Sequence, residues 1–237
     1  MSLGLGNSII SGNQYPVDWS PTELGSKLLH WYRFNTNITV ATVESDDNAV
    51  TQWSDSAAAE NHVAPTSTSE KAKMPQLQSD GSIKFQSTLD DLVFSSPVTL
   101  GTFAIYFRIK WDASETISSE DLMDDAGSSH FLKLASPTEA RVKIGTRHDF
   151  TINEIVEGQK FVVGFERASN GDIKVYKDNV AGSAADGDSL NVATSTTIGL
   201  RRMGIPANTS NWYEVVMCND SLTISERNQL YAYLNNI

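Results

Sequence analysis

Short runs of alternating apolar and polar residues recur along the chain between residues 28 and 217, each bounded by Gly, Asn, Asp, Ser or Pro. Arg141-Val142-Lys143-Ile144 and Ile173-Lys174-Val175-Tyr176 alternate strictly. In an extended backbone such a run has one apolar face and one wet face. The pattern predicts strands at 28–34, 50–53, 82–85, 92–94, 103–111, 130–134, 141–144, 150–152, 161–167, 173–177, 196–200 and 212–217. No helical pattern separates them, so the ladders are expected to be antiparallel and the architecture an all-β, two-sheet sandwich. The hairpin over 161–177 is the best-defined unit, because Asn170-Gly171 supplies the positive φ that a tight turn needs. Ser20-Pro21-Thr22-Glu23 predicts a short helical turn that Gly25 ends. Thr223-Ile224-Ser225-Glu226 is a capping box opening a C-terminal helix, with Ile224, Leu230, Tyr231 and Leu234 largely on one face. That helix is expected to lie on the sandwich as a latch. The acidic, Ser-rich stretch 114–129 reads as a long surface loop.

Residues 1–19 lack either periodicity and read as an extended arm, leaving 20–237 as one domain with no linker and no internal repeat. Leu3, Leu5, Ile9, Ile10, Tyr15 and Trp19 are spaced apolar anchors along the arm. The intervening Gly and Asn would let the backbone follow a groove or add a strand to a neighbour's sheet edge. The arm is therefore expected to bind a partner, with Trp19 as a docking anchor at its junction with the domain.

The chain has 18 Lys+Arg against 29 Asp+Glu, a formal charge of −11, which repels phosphate backbones and anionic lipid alike. No nucleic-acid or membrane partner is expected. Apolar stretches such as 103–107 and 161–165 fall far short of the roughly 18 residues that a span requires. MSLGLGNSII has neither a basic n-region nor an apolar h-region, which predicts no signal peptide.

The candidate chemistry is sparse. Four histidines (His30, His62, His130, His148) stand far apart, without HExxH or a helical pair, and read as ordinary imidazoles. Calcium suits the chain better than zinc, since Asp46-Asp47, Asp90-Asp91, Asp124-Asp125 and Asp186-Gly187-Asp188 put hard oxygens on expected loops. None follows EF-hand spacing, so no cofactor is assigned and calcium stays an alternative. The single cysteine, Cys218, sits among Val215, Val216 and Met217 as a small buried hydrophobe, and there is no G-x-S-x-G elbow. Glycoside hydrolysis needs two facing carboxylates; the nearest pattern, Glu44-Ser45-Asp46-Asp47, lacks the second glutamate and lies in a turn-like stretch. The chain is expected not to be an enzyme. Of the five tryptophans, Trp31, Trp53, Trp111 and Trp212 fall in or at the ends of predicted strands, where burial is expected rather than sugar stacking.

Four segments carry a family resemblance: Ser20-Pro21-x-x-Leu24-x-x-x-Leu28-Leu29-x-Trp31; Gln52-Trp53-Ser54-Asp55-Ser56 with Asn61-His62-Val63-Ala64; Gly81-x-x-x-Phe85 with Asp90-Asp91-Leu92; and Ile198-Gly199, Glu214-Val215 and Leu222-Thr223-x-x-Glu226-Arg227-x-x-Leu230-x-x-Tyr233-Leu234. In this order they resemble the concanavalin A-like, laminin G-like jelly-roll domains found in structural proteins of tailed phages and in marine bacterial surface proteins. In the second segment, Ala57-Ala58-Ala59-Glu60 stands where the family carries glycine and asparagine. The Leu-Gly-Leu-Gly-Asn-Ser start of the arm resembles that of cyanobacterial phage structural proteins.

The resemblance implies a jelly-roll sandwich in which Trp31 and Trp53 fill the core, Asp55 and Asp91 cap turns, and Thr223 and Glu226 cap the latch helix. It further implies a non-enzymatic virion protein, a capsid decoration, neck, tail or fibre component. Such a protein would assemble in the bacterial cytoplasm, be held by its arm to other virion proteins or sibling subunits, and display a lectin-like domain toward a host-surface glycan. The alternative is a carbohydrate-binding adhesin module of a surface protein. Fold-level analogy does not choose between them.

Overall fold

The computed structural model describes residues 19–86, 89–185, 196–205 and 208–237. In chain order the first strands are β1 (Leu28–Tyr32), β2 (Ile38–Val43), β3 (Asp46–Trp53), β4 (Val63–Ala64), β5 (Gln76–Leu77), β6 (Ile83–Phe85), β7 (Leu92–Leu100), β8 (Phe103–Trp111) and β9 (Glu120–Asp124). They are followed by β10 (His130–Ser136), β11 (Glu139–Ile144), β12 (Thr146–Thr151), β13 (Lys160–Arg167), β14 (Ile173–Lys177), β15 (Val180–Ala181), β16 (Ser183–Ala184), β17 (Ile198–Ile205) and β18 (Ser210–Cys218). One α-helix, α1 (Ile224–Asn235), closes the described chain.

The ladders are antiparallel and divide into two layers. In the back sheet, β1 and β6 share one edge of β18, whose other edge carries β8, then β13, β14 and β15. The front sheet runs β2-β3-β4-β7-β17-β9-β10-β11-β12-β16. The two-residue β5 pairs with β3 on one side and β6 on the other, joining the layers at one corner. This is the expected all-β sandwich with a short C-terminal helix.

Strand β8 explains the layering. Phe103, Ile105, Phe107, Ile109 and Trp111 point into the core between the sheets, where they meet Trp53, Phe85, Phe165, Trp212 and Val215. Ala104 and Tyr106, on the other face, join a second cluster with Trp31, Val162, Cys218, Leu230 and Leu234. The central back strands are therefore apolar on both faces, which a two-layer sandwich alone could not bury, and α1 supplies the third layer. Room for the layer is built in: a Cβ on Gly164 would overlap the Tyr106 ring lying across it. Tyr106 donates to Glu166 Oε1 at 2.6 Å, and Arg227 of α1 grips both Glu166 oxygens at 2.9 Å, so the buried charge is paired and tied to the helix.

The ends of α1 agree with the expected capping box: Glu226 N–H donates to Thr223 Oγ1 and Thr223 N–H donates to Glu226 Oε2. Lys27 reaches Glu226 at 2.8 Å, linking the helix to the 3-10 turn Pro21–Lys27, in which Gly25 takes φ 57°. Three expectations need correction. Ile224 is not on the docked face; it is 72% exposed while Leu230 and Leu234 are fully buried. The stretch 114–129 is not all loop, because β9 runs through it and buries Leu122 and Met123 between β10 and β17. Trp53 fills the inter-sheet core as expected, but Trp31 lies on the opposite face of the back sheet, beneath the helix. In the hairpin over 161–177 the positive φ falls on Gly171 alone.

Leu230→Ala should lower stability by about 2–5 kcal/mol, the range for emptying a buried leucine site, whereas Ile224→Ala should change it by less than about 0.5 kcal/mol. Urea unfolding of the two variants checks this, and equal effects would mean that α1 docks by another face.

Candidate functional site

An open concavity lies at the β1 edge of the sandwich. It encloses about 330 Å³ and is lined by Leu29 and His30 of β1, Ala59, Glu60 and Asn61 of the following loop, and Ser95–Thr99 of β7. That volume is at the lower end of the roughly 300–1,000 Å³ usual for small-ligand sites.

Asp55 organises the walls. Its Oδ1 accepts the N–H of Trp31 at 2.8 Å and of Ala57 at 2.9 Å, and its Oδ2 accepts Asn61 N–H at 3.1 Å and faces His30 Nδ1 at 2.8 Å. One carboxylate thus pins β1, wraps the loop over residues 54–61 around itself and orients the His30 ring. Asp55 N–H donates in turn to His62 Nδ1. At Glu60 the loop takes φ 50°, a left-handed turn made without glycine.

The opposite wall is a bulge in β7. The β7–β17 register steps from Val98↔Leu200 to Val93↔Arg202, so residues 94–97 stand against Arg201 alone. Pro97 has no N–H to give a ladder, which suits it to such a bulge. The freed backbone is taken up by Asn61: its Oδ1 accepts Ser96 N–H at 2.9 Å and Ser95 Oγ–H at 2.8 Å, while its Nδ2 donates to Ser96 O at 2.9 Å. Ser95 N–H donates to His62 O, and Tyr32 Oη–H donates to Asn61 O. The pocket is a pre-formed polar cleft: carboxylate Glu60 at the mouth, serine, threonine and imidazole polar atoms along the sides, and Leu29, Pro97 and Val98 as apolar surface. Such a mixture suits a small polyhydroxy ligand, whose rings have both hydrogen-bonding edges and C–H faces.

Burial on its own would push the Asp55 carboxyl up, but the hydrogen bonds from His30, Trp31, Ala57 and Asn61 outweigh it and hold the group below the usual carboxylate range. Burial, and then the Asp55 charge, push the Tyr32 phenol well up.

The residues singled out in the sequence fare unequally. Trp19 is half-buried and packs edge-on against Tyr233 of α1 with ring centroids 6.0 Å apart. Leu3, Leu5, Ile9, Ile10 and Tyr15 lie outside the described residues, as does Asp186-Gly187-Asp188. The other acidic pairs have protein partners: Asp47 accepts from Thr42, Asp91 from Thr66, Asp124 from Arg202 at 2.7 and 2.9 Å, and Asp125 from Gly127 N–H. Among the described residues no group of three or more His, Cys, Asp or Glu is placed to hold a metal ion. Trp31, Trp53, Trp111 and Trp212 are all buried, so none can offer a ring to solvent. Burial pushes the Cys218 thiol up to about 12. His30 and His148 are both buried, and His30 is a carboxylate-oriented ring in the pocket wall. Ser95, Ser96 and Thr99 were missed, although Ser-Ser-Pro inside an apolar run is the signature of a bulge.

No protein-family model and no curated protein sequence matches the chain. Solved structures do share its fold. Domain 4 of AbnA, a GH43 extracellular arabinanase from Geobacillus stearothermophilus, solved with arabinotriose, superposes with a TM-score of 0.58 at 14% identity, over 88% of this chain and 98% of that domain. Trypanosoma rangeli sialidase in complex with sialic acid gives a TM-score of 0.58 at 12% identity, over 88% of this chain and 33% of the sialidase. The chain thus spans about a third of the length of the sialidase. At these identities the likeness is one of fold, a β-sandwich.

Loss of the Asp55 hub should be visible in pH. A carboxyl held below its unfolded value of about 3.9 contributes stability above that pH and loses it as pH falls through the folded pKa. Urea titrations of the wild type and Asp55→Asn should differ most at neutral pH and converge below about pH 4. A gap that stays constant down to pH 2 would show that the charge on Asp55 does not matter.

Proposed function

We propose that the chain is a non-enzymatic, glycan-binding β-sandwich module, carried on a phage virion and held there by its N-terminal arm. The observation that carries the binding role is the cleft between the Asp55-organised loop and the β7 bulge. Its hydrogen-bonding groups are fixed in advance by their own bonds, so little ordering entropy opposes a ligand. The full-length match to an arabinanase domain solved with arabinotriose supports a saccharide as that ligand. Against catalysis, Glu60 is the only carboxylate among the described residues that line the cleft, and hydrolysis of a glycoside by the common route takes two.

The virion assignment rests on the arm's resemblance to cyanobacterial phage structural proteins. In this reading the arm engages other virion proteins or sibling subunits, and the cleft meets a host-surface glycan after assembly in the bacterial cytoplasm. The fold match to a domain of an extracellular enzyme favours a second reading, an adhesin module of a surface protein. Detection of the chain in purified phage particles, lost when residues 2–17 are deleted from a domain that still folds, supports the first reading. Normal incorporation of the truncated chain counts against an anchoring arm.

Thr99→Trp tests the cleft. Thr99 is exposed in the β7–β17 ladder opposite Gly199, where an aromatic is tolerated, and its side chain borders the cleft. The expected outcome is a stability change below about 0.5 kcal/mol and loss of the signal that the wild type gives on an array of arabinan and sialoside oligosaccharides. Equal array signals from both proteins would move binding away from this cleft.

A further inference from the structure

On the outer face of the back sheet, away from the cleft, the antiparallel registers place cations side by side. Lys160 pairs with Lys110, Lys110 with Asn211, and Asn211 with Lys84, so the four residues form one row across β13, β8, β18 and β6. Strands are about 4.8 Å apart, which sets Lys160 about 5 Å and Lys84 about 10 Å from Lys110 at the backbone. Arg108 is two residues from Lys110 on the same face of β8. Like charges directly opposed across strands destabilise a sheet, and this row occurs in a chain of net charge −11.

Arg108, beside the row, is the anomaly. It is only 5% exposed, yet its Nε and Nη1 have no hydrogen-bond partner, and among the described residues no carboxylate lies within ion-pair distance of it. Asn211 Oδ1 is also buried without a partner. The neighbouring acids are shared: Asp80 holds Ser82, accepts from Tyr213 and also faces Lys160 with its charge; Asp178 accepts Val162 N–H, pairs with Lys177 and attracts Arg108 from beyond ion-pair distance; Asp112 accepts from Ser114 and attracts Lys84 and Lys110 in the same way. Lys160 lies 4.0 Å from the centre of the Tyr213 ring and donates to Ile237 O at 3.1 Å. Its ammonium is held below its ordinary pKa by burial and then by the charge of Arg108. A buried, unpaired guanidinium costs stability, and the sheet buries Glu166 only with Arg227 to match it.

The geometry points to a second binding site, in which Arg108, Lys110, Lys160 and Lys84 receive the sulfate or carboxylate group of an acidic saccharide. The Arg108 Nε and Nη1 are sealed from solvent, so the guanidinium contributes a fixed positive charge beneath the row, while the lysines meet the oxyanion as mobile point charges. Phe34, over whose ring Lys160 also lies, is partly exposed and offers apolar surface beside it. A saccharide is favoured over nucleic acid because four cations in so acidic a chain neutralise too few phosphates to offset the long-range repulsion. Only the choice of a saccharide as the carrier rests on the function proposed above; the anion site itself does not.

Isothermal titration calorimetry of the full chain at low salt tests the site with five probes: an oligogalacturonate, a sulfated oligosaccharide, a neutral oligosaccharide of the same length, inorganic sulfate and a thymidine oligonucleotide. At least one acidic saccharide should bind, and more than tenfold more tightly than inorganic sulfate or the oligonucleotide. That binding should weaken at least tenfold in Lys110→Gln/Lys160→Gln, whose replaced side chains are exposed or half-exposed, and should survive in Thr99→Trp. Arg108→Met should weaken it at least tenfold while melting no lower than the wild type, because a buried charge without a close ion pair is being removed. The site is overturned by absence of acidic-saccharide binding, by equal binding of sulfate alone, by tighter binding of the oligonucleotide, or by loss of the acidic saccharide in Thr99→Trp, which would place it in the cleft. If no neutral glycan binds while the acidic one does, the cleft reading fails and this one stands.

Discussion

The rest of the structure depends on the need to bury both faces of β8 and its neighbours β13 and β18. A strand that is apolar on alternate residues requires one partner layer; a strand reading Phe103-Ala104-Ile105-Tyr106-Phe107 requires two. The front sheet covers one face and α1, with Trp31 and Leu24, covers the other. The constraint extends to polar detail. A helix lying over a sheet brings backbone and side-chain polar groups into a dry layer, so the Arg227–Glu166–Tyr106 bonds and the Trp31 and Phe34 bonds to Glu214 are conditions of that burial. Burial pushes the Glu214 carboxyl up despite its donors, a sign of how dry the layer is.

The cleft arises where this packing ends. Strand β1 is the edge of the back sheet, and its outward backbone would be open to pairing with another chain were the Asp55 loop not laid against it. Asp55 therefore closes an edge and shapes a cleft with the same bonds. The β7 bulge acts in the complementary way on the front sheet: by withdrawing residues 94–97 from the ladder it frees peptide groups that Asn61 then satisfies. The cleft is a by-product of two edge-management devices meeting, which makes it rigid without any residue dedicated to rigidity.

The parts of this fold legible in the sequence were those with a local cause. Strand β8 and hairpin β13–β14 carry their periodicity and turn within a few residues, and the capping box of α1 is written in four consecutive positions. Strand β9 was hidden because its two core residues, Leu122 and Met123, sit between acidic ones whose charges are neutralised only in space, Asp124 by Arg202 far along the chain. The helix face was blurred for a related reason: Ile224 is apolar but sits at the capped end, before the helix reaches the sheet. In the cleft, Asp55, Asn61 and His62 were visible as a turn motif, whereas His30 and Ser95–Thr99 acquire meaning only once β1 and β7 are brought together. A single histidine carries no mark of the carboxylate that will face it.

The two outward surfaces illustrate opposite ways of presenting polar groups. In the cleft every hydrogen bond that shapes the wall is internal, so an empty site costs the fold little, and Asp55 and Asn61 stabilise it whether or not a ligand arrives. On the outer face the like charges of Lys160, Lys110 and Lys84 stand side by side, and the Arg108 Nε and Nη1 beside them are buried without a hydrogen bond, a cost the packed layers bear continuously. A sheet covered on both faces keeps Arg108 nearly out of water, whereas a simple two-layer sandwich would solvate it and weaken its pull on an anion. The helix that allows β8 to be apolar on both sides also supplies the low-dielectric surroundings in which an unpaired guanidinium attracts an oxyanion strongly.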